Sequence, residues 1–541
     1  MPIFPVRDIA KYGIITDVDP YSLPVGAWSS GVNVRFRNGS ITRAPVFRNV
    51  LELGTASPRF CTANTPNTGF SSVIVGYLNG KVTSIANGSE SDLSISGYVP
   101  SDAEAPFTST HLADVFYMNR SDRVPWSLRE SDVQFQPLAN WDVTWGAKIL
   151  RAAGGALCAF GITKGGVSYP TMVKTSEFAL ADTVPSTWDD TDPTNNATEN
   201  ILAEMKSPIM DAQTLGDVVF IYGLEETWIM YADGSADVWA YRKVFDDVGA
   251  INTNCSIELN KRHYVFGLND IWAHDGTSKV SICDQRTRDY IFGTMNLQDT
   301  NRFFVSYNAK NKEIAFNYVG DDDLVGFPPV ASNGSGCNRA AVYNIVDNNW
   351  TFDDLPYVFG AAEANLDQVV AWSTTTSSWE SVGGTWLDQE DSLKRVPVMI
   401  GDANTDASLS RSLYAFDQQG LGSVIALPVD ENATKGWQLS RDGIDLDEVG
   451  ADLTGYKVIS SIFPQARLET DAEPIDFSFG SADYFNNPVE MTDVQTYDGN
   501  TLYKLDYNAS GRYLMLHMAH DDWHYINISG FDLDLDVTGE R

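Results

Sequence analysis

The sequence predicts a protein built mainly of β-strands, and two observations carry that prediction. Short alternating or continuous apolar runs bounded by Gly, Asn and Asp recur along all 541 residues, and each run is about as long as an ordinary strand. Aromatic residues reach 12%, with 42 Gly and 23 Pro, a composition rich in strand and turn formers. Few segments show a sustained apolar period of about 3.6 residues, so helix is expected to be a minor component.

Chain length and charge narrow the class further. A chain of 541 residues exceeds the size at which one hydrophobic core stops growing, so more than one folding unit is expected. The net charge of −35 argues against a surface that binds nucleic acid, because phosphates are bound by Lys and Arg. Five widely spaced cysteines without a CxxC pair indicate neither a disulfide framework nor a zinc site. Without a signal h-region or a membrane-length apolar stretch, we expect synthesis in the cytosol.

The middle of the chain has the most regular strand pattern. Between Asp217 and Ile282, two segments share a sequence pattern in which a strand is followed by an Asp-Gly turn, at Asp233-Gly234 and at Asp275-Gly276. Asp-Gly between two strands favours a type I′ hairpin. Looser echoes follow at a spacing of about forty residues, which is typical of propeller blades made of four-stranded sheets. We therefore expect an irregular, six-bladed β-propeller over residues 55–425.

Clusters of metal-ligating residues have simpler interpretations. His517, His520 and His524 stand close to Asp521 and Asp522, but HExxH is absent and the flanking pattern is strand, turn, strand. A polar hairpin tip is the favoured interpretation, with a metal site or a pH-sensitive contact as the alternative.

Acidic runs invite a calcium hypothesis. An EF-hand loop starting at Asp532 would need Gly at its sixth position, where Val537 stands, so the solvent face of a strand explains the run better. Solvated turns are favoured in the same way for 443–448 and 321–323, with calcium binding as the alternative.

Catalytic motifs do not emerge from the sequence. It contains no GxSxG elbow, no Walker loop, no GxGxxG before a helix and no Ser-x-Asp-x-Gly-x-Thr-Trp box of the sialic-acid propellers. We expect no enzymatic activity and no cofactor or metal. Trp372, Trp379 and Trp386 stand seven residues apart in a Ser/Thr/Gly-rich stretch and are candidate glycan contacts, because indole faces stack on sugar rings. Packing in a core is the alternative.

The N-terminal segment resembles a known family. Within the segment 16–39, residues 17–39 read D-x-x-P-x-x-L-P-x-x-A-W-S-x-G-x-N-V-R-F-x-x-G, and Arg43 and Pro45 follow. This pattern is similar to an N-terminal signature of the tail nozzle, tail hub or packaged-DNA stabilisation proteins of short-tailed bacteriophages. The resemblance implies a homohexameric ring around a channel, one propeller per subunit, a platform domain, and neither catalysis nor cofactor.

The resemblance fixes the expected organisation. We expect residues 1–54 and 426–541 to form a β-rich platform, the first part carrying extended strands and a turn at Asn38-Gly39. Basic residues are conspicuous in the first part and are candidates, with Trp28, for contacts to acidic surfaces of a neighbouring subunit: Arg35, Arg37, Arg43 and Arg48. An ordinary solvated hairpin face is the alternative.

The expected function follows. We expect a structural tail protein in the virion, made in the cytoplasm of the bacterial host, with a tail adaptor above it and fibre, needle or spike proteins nearby. Double-stranded DNA would be retained by the ring and later pass its acidic channel without specific binding. The main alternative is a propeller at the tail tip that binds or cleaves host glycans, and a cellular propeller for protein interactions is a second.

Overall fold

Strands dominate the part of the chain that the computed structural model describes, which is residues 3–54, 56–65, 72–86, 88–101, 104–234, 238–320, 336–364, 396–402, 411–416, 423–424, 436–444, 446, 455–484 and 489–537. The helices within these ranges are the α-helix α1 (Arg288–Thr294) and two 3-10 turns, Pro20–Ser22 and Leu297–Arg302. None of these helices has the length and apolar character needed to cross a membrane.

The N-terminal segment contains the first strands of the described chain: β1 (Ile3–Val6), β2 (Gly13–Ile14), β3 (Ala27–Trp28), β4 (Ser30–Val32), β5 (Val34–Arg37), β6 (Ser40–Arg43) and β7 (Phe47–Glu52). Strands β5 and β6 form the hairpin expected at Asn38-Gly39. Both turn residues have positive φ, 51° and 75°, which is the backbone that a type I′ turn requires.

Five four-stranded antiparallel sheets follow, each made of four consecutive strands. Blade 1 has β8 (Pro58–Asn64), β9 (Ser72–Tyr77), β10 (Val82–Ala86) and β11 (Ser89–Asp92), and blade 2 has β12 (Phe107–Leu112), β13 (Val115–Arg120), β14 (Trp126–Leu128) and β15 (Gln136–Pro137). Blade 3 has β16 (Trp145–Ala153), β17 (Ala156–Lys164), β18 (Val167–Thr175) and β19 (Thr198–Ile201). Blade 4 has β20 (Asp211–Leu215), β21 (Val218–Tyr222), β22 (Thr227–Ala232) and β23 (Trp239–Phe245), and blade 5 has β24 (Ser256–Leu259), β25 (Arg262–Phe266), β26 (Ile271–His274) and β27 (Lys279–Ser281).

An eight-stranded sheet supplies two further blades. Its strands after the helices are β28 (Phe304–Asn308), β29 (Glu313–Tyr318), β30 (Cys337–Asn344), β31 (Asn349–Ala364), β32 (Val396–Asp402), β33 (Arg411–Phe416) and β34 (Ser423–Val424). Strand β31 is shared: residues 349–354 pair with β30, whereas residues 358–364 pair with β32. Its first half completes blade 6, and its second half begins blade 7, in which β32, β33 and β7 follow.

The β-propeller fold is therefore confirmed, but the described residues form seven blades rather than the expected six. The first strand of each blade contributes residues to one central cavity, and these seven strands are β8, β12, β16, β20, β24, β28 and the second half of β31. The expected count was one too low because a single uninterrupted strand serves two blades. In addition, the fourth and outermost long strand of blade 7 is β7, beyond which the two-residue β34 is paired. The sequence assigned β7 to the platform.

The ring closes where β31 meets β8. A Cβ atom at Gly360 would lie 2.8 Å from the backbone nitrogen of Cys61, so only glycine permits this approach of the two strands. The guanidinium of Arg59 lies 4.1 Å from the ring centre of Phe359 beside the same contact. Blades 7 and 1 thus pack directly against each other.

The two chain ends build the platform, as expected. Its C-terminal strands are β35 (Trp437–Arg441), β36 (Lys457–Leu468), β37 (Ile475–Ala482), β38 (Glu490–Met491), β39 (Gln495–Tyr497), β40 (Leu505–Gly511), β41 (Tyr513–His520) and β42 (Ile526–Val537). One six-stranded sheet contains β40, β36, β42, β6 and β5, with β1 also on β42. The other contains β38, β37, β41, β35 and β4, with β39 also on β37.

The hydrophobic core continues from the propeller into the platform. Separate clusters fill the spaces between blades 1 and 2, 2 and 3, 3 and 4, and 7 and 1. The largest cluster joins blades 4 to 6 to both platform sheets and includes Phe36, Trp350 and Leu533. Because apolar burial is the main favourable term in folding, the platform and these blades are expected to fold as one unit.

Candidate functional site

Arg35, a candidate assembly residue, is buried at the junction between the platform and blade 6. Its guanidinium donates to both carboxylate oxygens of Asp353 on β31, at 2.6 and 2.5 Å, and through Nε to Glu313 on β29, at 3.1 Å. All three side chains are buried. Burial alone would lower the pKa of Arg35, but the carboxylates of Asp353 and Glu313 raise it above its usual value. Arg35 therefore links platform and propeller within one chain.

Arg37, another candidate, contacts the same carboxylate. Its Nε donates to Glu313 at 3.0 Å, so one carboxylate serves two arginines. Arg35 and Arg37 are two residues apart on β5 and therefore lie on the same face of the hairpin. Arg43 is paired with Val34 and so lies on the other face, where it donates to the carbonyl oxygen of Ala44 at 2.7 Å.

Trp28 and Arg48 lie apart from the cluster. Trp28 is buried, and its indole N–H donates to the carbonyl oxygen of Ile9 at 2.7 Å, so it packs inside the platform. Arg48 lies on β7, with its guanidinium 5.9 Å from the ring centre of Trp523 at the tip between β41 and β42. Neither residue belongs to the Arg35 cluster.

Asn33 is a junction residue that the sequence did not single out. It has a positive φ of 58°, its side-chain amide donates to the carbonyl oxygen of Gly436 at 3.0 Å, and its side-chain oxygen accepts from the backbone of Asp354 at 2.9 Å. The carboxylate of Asp354 is buried and paired with Arg339. An Asp-Asp pair at 353–354, within the apolar strand after Trp350, was the signal that could have indicated buried ionic contacts.

The central cavity of the propeller has a volume of about 370 Å³ and is lined by residues of all seven blades. Its lining is mostly polar: among the side chains are Thr62, Ser109, Thr110, Gln213, Asn252, Asn254 and Ser256. The guanidinium of Arg59 is paired with Glu104 at 3.1 Å. B-form DNA has a major groove that alone is about 12 Å wide, so a duplex cannot pass through this cavity.

Arg151 of β16 lies in the wall of this cavity. Its guanidinium donates to the carbonyl oxygen of Ala212 at 2.8 Å, to Asp211 at 3.2 Å and to Asn254 at 3.4 Å, and thus joins blades 3, 4 and 5. Burial lowers the pKa of Arg151 and raises the pKa of Asp211, although each charge partly offsets the effect on the other. Arg151 acts as a cross-link between blades, a role that was not predicted from the sequence.

The predicted histidine cluster is spread over two faces of the platform. Nδ1 of His517 lies 2.7 Å from the Ser440 hydroxyl and forms a hydrogen bond with it. His520, in contrast, is buried at the end of β41. His524 pairs with Asp522. Among the described residues, no group of three or more His, Cys, Asp or Glu side chains has the arrangement needed to hold a metal ion.

Several other candidates can be placed briefly. Trp372, Trp379 and Trp386 lie outside the described residues, and so does the acidic run 321–323. Asp532, Asp534 and Asp536 lie on β42 with half-buried side chains, and Asp532 is paired with Arg7 at 2.6 Å. The five cysteines are all buried and unbridged.

Comparisons with known proteins give little beyond the fold. No family model matches the sequence, and no curated protein matches it. The chain is similar to a solved WD40 β-propeller domain of Doa1, with 8% sequence identity over 70% of this chain and 99% of that chain. The TM-score is 0.36, so the propeller assignment depends on the strand pairing and the ring of inner strands rather than on this similarity.

Proposed function

We propose that this chain is a structural protein of a short bacteriophage tail, of the nozzle type, and that six copies surround a passage that retains packaged DNA and conducts it at ejection. One observation carries the proposal. The N-terminal segment with the nozzle-like pattern is the part that joins platform and propeller, through Asn33 and Arg35. The residues that carry the resemblance therefore have a structural role in this chain.

The charge of the chain supports a passage that does not bind DNA. The net charge is −35, and the arginines of the N-terminal segment that could have met phosphates, Arg35 and Arg37, are paired with carboxylates of the same chain. Since DNA binding depends on cations that displace counterions, surfaces of this kind repel the duplex. An anionic wall therefore lets DNA slide without adhesion.

The size of the central cavity supports a passage between subunits. At about 370 Å³, the cavity in one propeller is far too small for a duplex. In the proposed ring, DNA passes through the space that the six copies enclose. We also propose that a tail adaptor lies above the ring and fibre, needle or spike proteins nearby, that the protein resides in the virion, and that it has no catalytic activity and needs no cofactor.

Two measurements test the proposal. Light scattering on the purified protein, alone and after addition of phage tails that lack it, is expected to give particles of six 59.5 kDa chains with a six-fold outline in electron micrographs. Mass spectrometry of purified virions is expected to detect the chain at about six copies. A protein that stays a single chain with those tails and is absent from virions contradicts the proposal.

A screen on host polysaccharides separates the glycan alternative. The nozzle proposal expects neither binding nor cleavage by the purified protein. Saturable binding to one polysaccharide, or release of shorter sugars from it, would favour a recognition propeller at the tail tip instead.

A further inference from the structure

His520 is the last residue of β41, and its ring is fully buried. Nε2 lies 2.9 Å from the carbonyl oxygen of Glu473, and Nδ1 lies 3.1 Å from the carbonyl oxygen of Asp522. Both distances are those of good hydrogen bonds. The ring therefore bridges two loops, the turn 469–473 and the hairpin tip 521–525.

The two carbonyl partners determine how many protons the His520 ring carries. A carbonyl oxygen only accepts hydrogen bonds, and a neutral imidazole has a single N–H, so a neutral ring would leave the lone pair of its other nitrogen facing a carbonyl oxygen. Only the imidazolium donates at both nitrogens. We propose that His520 is protonated in the folded protein and that its imidazolium fastens the two loops together, an arrangement we name the histidine latch.

The surroundings of the ring fit a buried cation. Asp476, which pairs across the sheet with Ala519, is close enough to His520 for their charges to interact, Asp521 acts on Asp476, and Asp522 lies on the tip itself. Burial raises the pKa of Asp476, Asp521 raises it further, and His520 and His517 act in the opposite direction. The other ionisable side chain at the tip is His524, which is paired with Asp522. The ring of Trp437 also stacks on His520 with a centroid distance of 6.1 Å.

Other bonds of the latch do not depend on the His520 proton. The carboxylate of Asp522 accepts from the backbone N–H of Glu473 at 3.1 Å, and Glu469 and Tyr525 exchange two further bonds, at 2.8 and 3.0 Å. Loss of one proton therefore removes one bond among several. The loops should open more often, while the platform sheets stay folded.

The latch holds the contact between the platform tip and blade 7. Trp523 lies within the tip, and Arg48 of β7 lies 5.9 Å from its ring centre. Since β7 is the outermost long strand of blade 7, the protonation state of His520 controls how firmly the platform tip rests on the propeller. Opening should increase as the pH rises and His520 loses its proton.

The first test reads the proton count directly. The full chain is labelled with 15N-histidine, which gives signals from only six residues, and the set missing in His520→Gln belongs to His520. The His517→Gln variant is the matched control, because His517 contacts a hydroxyl that can donate or accept. At pH 7 we expect both His520 nitrogens to carry protons in the wild type and in the control. A single protonated nitrogen overturns the proposal.

The second test follows the loops. Hydrogen exchange of segments 469–473 and 520–526, corrected for intrinsic rates, should become roughly tenfold faster in the wild type across the pH range in which His520 deprotonates. In His520→Gln, exchange should be fast throughout, whereas His517→Gln should follow the wild type. If His520→Gln does not fold, the wild-type pH series decides. Loop exchange that stays constant while the NMR signal shows deprotonation overturns the latch.

Discussion

The guanidinium of Arg35 lies side by side with the carboxylate of Asp353, with two nitrogen–oxygen distances of 2.6 and 2.5 Å, although 318 residues separate them in the sequence. Both side chains are withdrawn from water, at 5% and 11% exposure. This pair holds the platform against blade 6, and it explains why a basic cluster is present in so acidic a chain.

Removal of the Arg35 charge should therefore cost a great deal of stability. We expect Arg35→Met to lower the free energy of unfolding by about 3–5 kcal/mol, because the carboxylates of Asp353 and Glu313 stay buried without their main partner. The control is Arg7→Met, whose ion pair with Asp532 is 45% exposed at the arginine and should contribute less than about 1 kcal/mol. Urea unfolding followed by tryptophan fluorescence measures both, and equal losses would show that the buried pair has no special role.

The contributions of Arg151 and Asp211 to the free energy of unfolding should be coupled, because this ion pair joins blades 3 and 4. Arg151→Met leaves the buried carboxylate of Asp211 uncompensated and should cost about 3–5 kcal/mol. The double variant Arg151→Met/Asp211→Asn should recover part of this loss, because it removes the unpaired charge. A double-mutant cycle on unfolding free energies gives the coupling, and strictly additive losses would contradict a direct interaction.

Acid should weaken the contact between blades 4 and 5. The hydroxyl of Tyr222 lies 2.6 Å from Nδ1 of His263 and 2.8 Å from Nε2 of His274, and all three side chains are buried. Nε2 of His263 must donate to the carbonyl oxygen of Thr214, at 2.9 Å. Nδ1 of His263 therefore accepts from Tyr222, and His274 donates to the tyrosine oxygen. This directed chain of hydrogen bonds requires His263 to be neutral. His274 can donate to Tyr222 in either charge state, but its protonation would place an N–H at Nδ1, which is buried and has no hydrogen-bond partner.

The pH dependence follows from burial, which lowers the pKa of His263 to about 4 and that of His274 to about 3, from 6.5 in the unfolded chain. The unfolded state binds more protons than the folded state between pH 6.5 and these values, so stability falls as the pH falls through that window. Each histidine should contribute a slope of roughly 1.4 kcal/mol per pH unit. In His274→Gln the slope between pH 6 and pH 5 should decrease by about that amount, and parallel curves for the variant and the wild type would refute the assignment.

Closure of the ring should depend on Gly360. We expect Gly360→Ala to lower the unfolding free energy by about 1–3 kcal/mol, because its Cβ would press on the backbone of Cys61 at 2.8 Å. Gly293 is the matched control, since it lies in α1 and a Cβ there would meet no atom within 4 Å. Gly293→Ala should be neutral or stabilise by up to about 1 kcal/mol. Thermal unfolding of both variants checks the prediction.

The fold class and the platform could be predicted from the sequence because they depend on local patterns. Period-two alternation such as Phe531–Val537 and turns such as Asn38-Gly39 specify strands and hairpins wherever they occur. The blade count could not be obtained in this way. Pro356 indicates an irregularity within 349–364, and Tyr357 has a positive φ of 52°, but neither residue reveals that the strand passes from one blade into the next. The pairing of β7 with β33 is a contact between distant parts of the chain.

The candidate site shows the same limit. The sequence indicates that Arg35, Arg37 and Arg43 are unusual, but their charge alone does not reveal whether the partner belongs to the same chain or to a neighbour. Glu313 and Asp353 are far away in sequence, and both are ordinary members of an abundant class of acidic residues. Contacts between subunits remain a prediction, to be sought on surfaces other than the buried faces of Trp28 and Arg35.

Strand β7 has a consequence for synthesis of the protein. Its residues 47–52 leave the ribosome early, whereas the strand that receives them, β33, begins only at residue 411. At the usual translation rate of about 5–20 residues per second, β7 waits for tens of seconds with its edge unpaired. The nascent propeller therefore stays open until the last blade has been made. Early misfolding of β7 would leave β33 without its neighbouring strand and blade 7 incomplete.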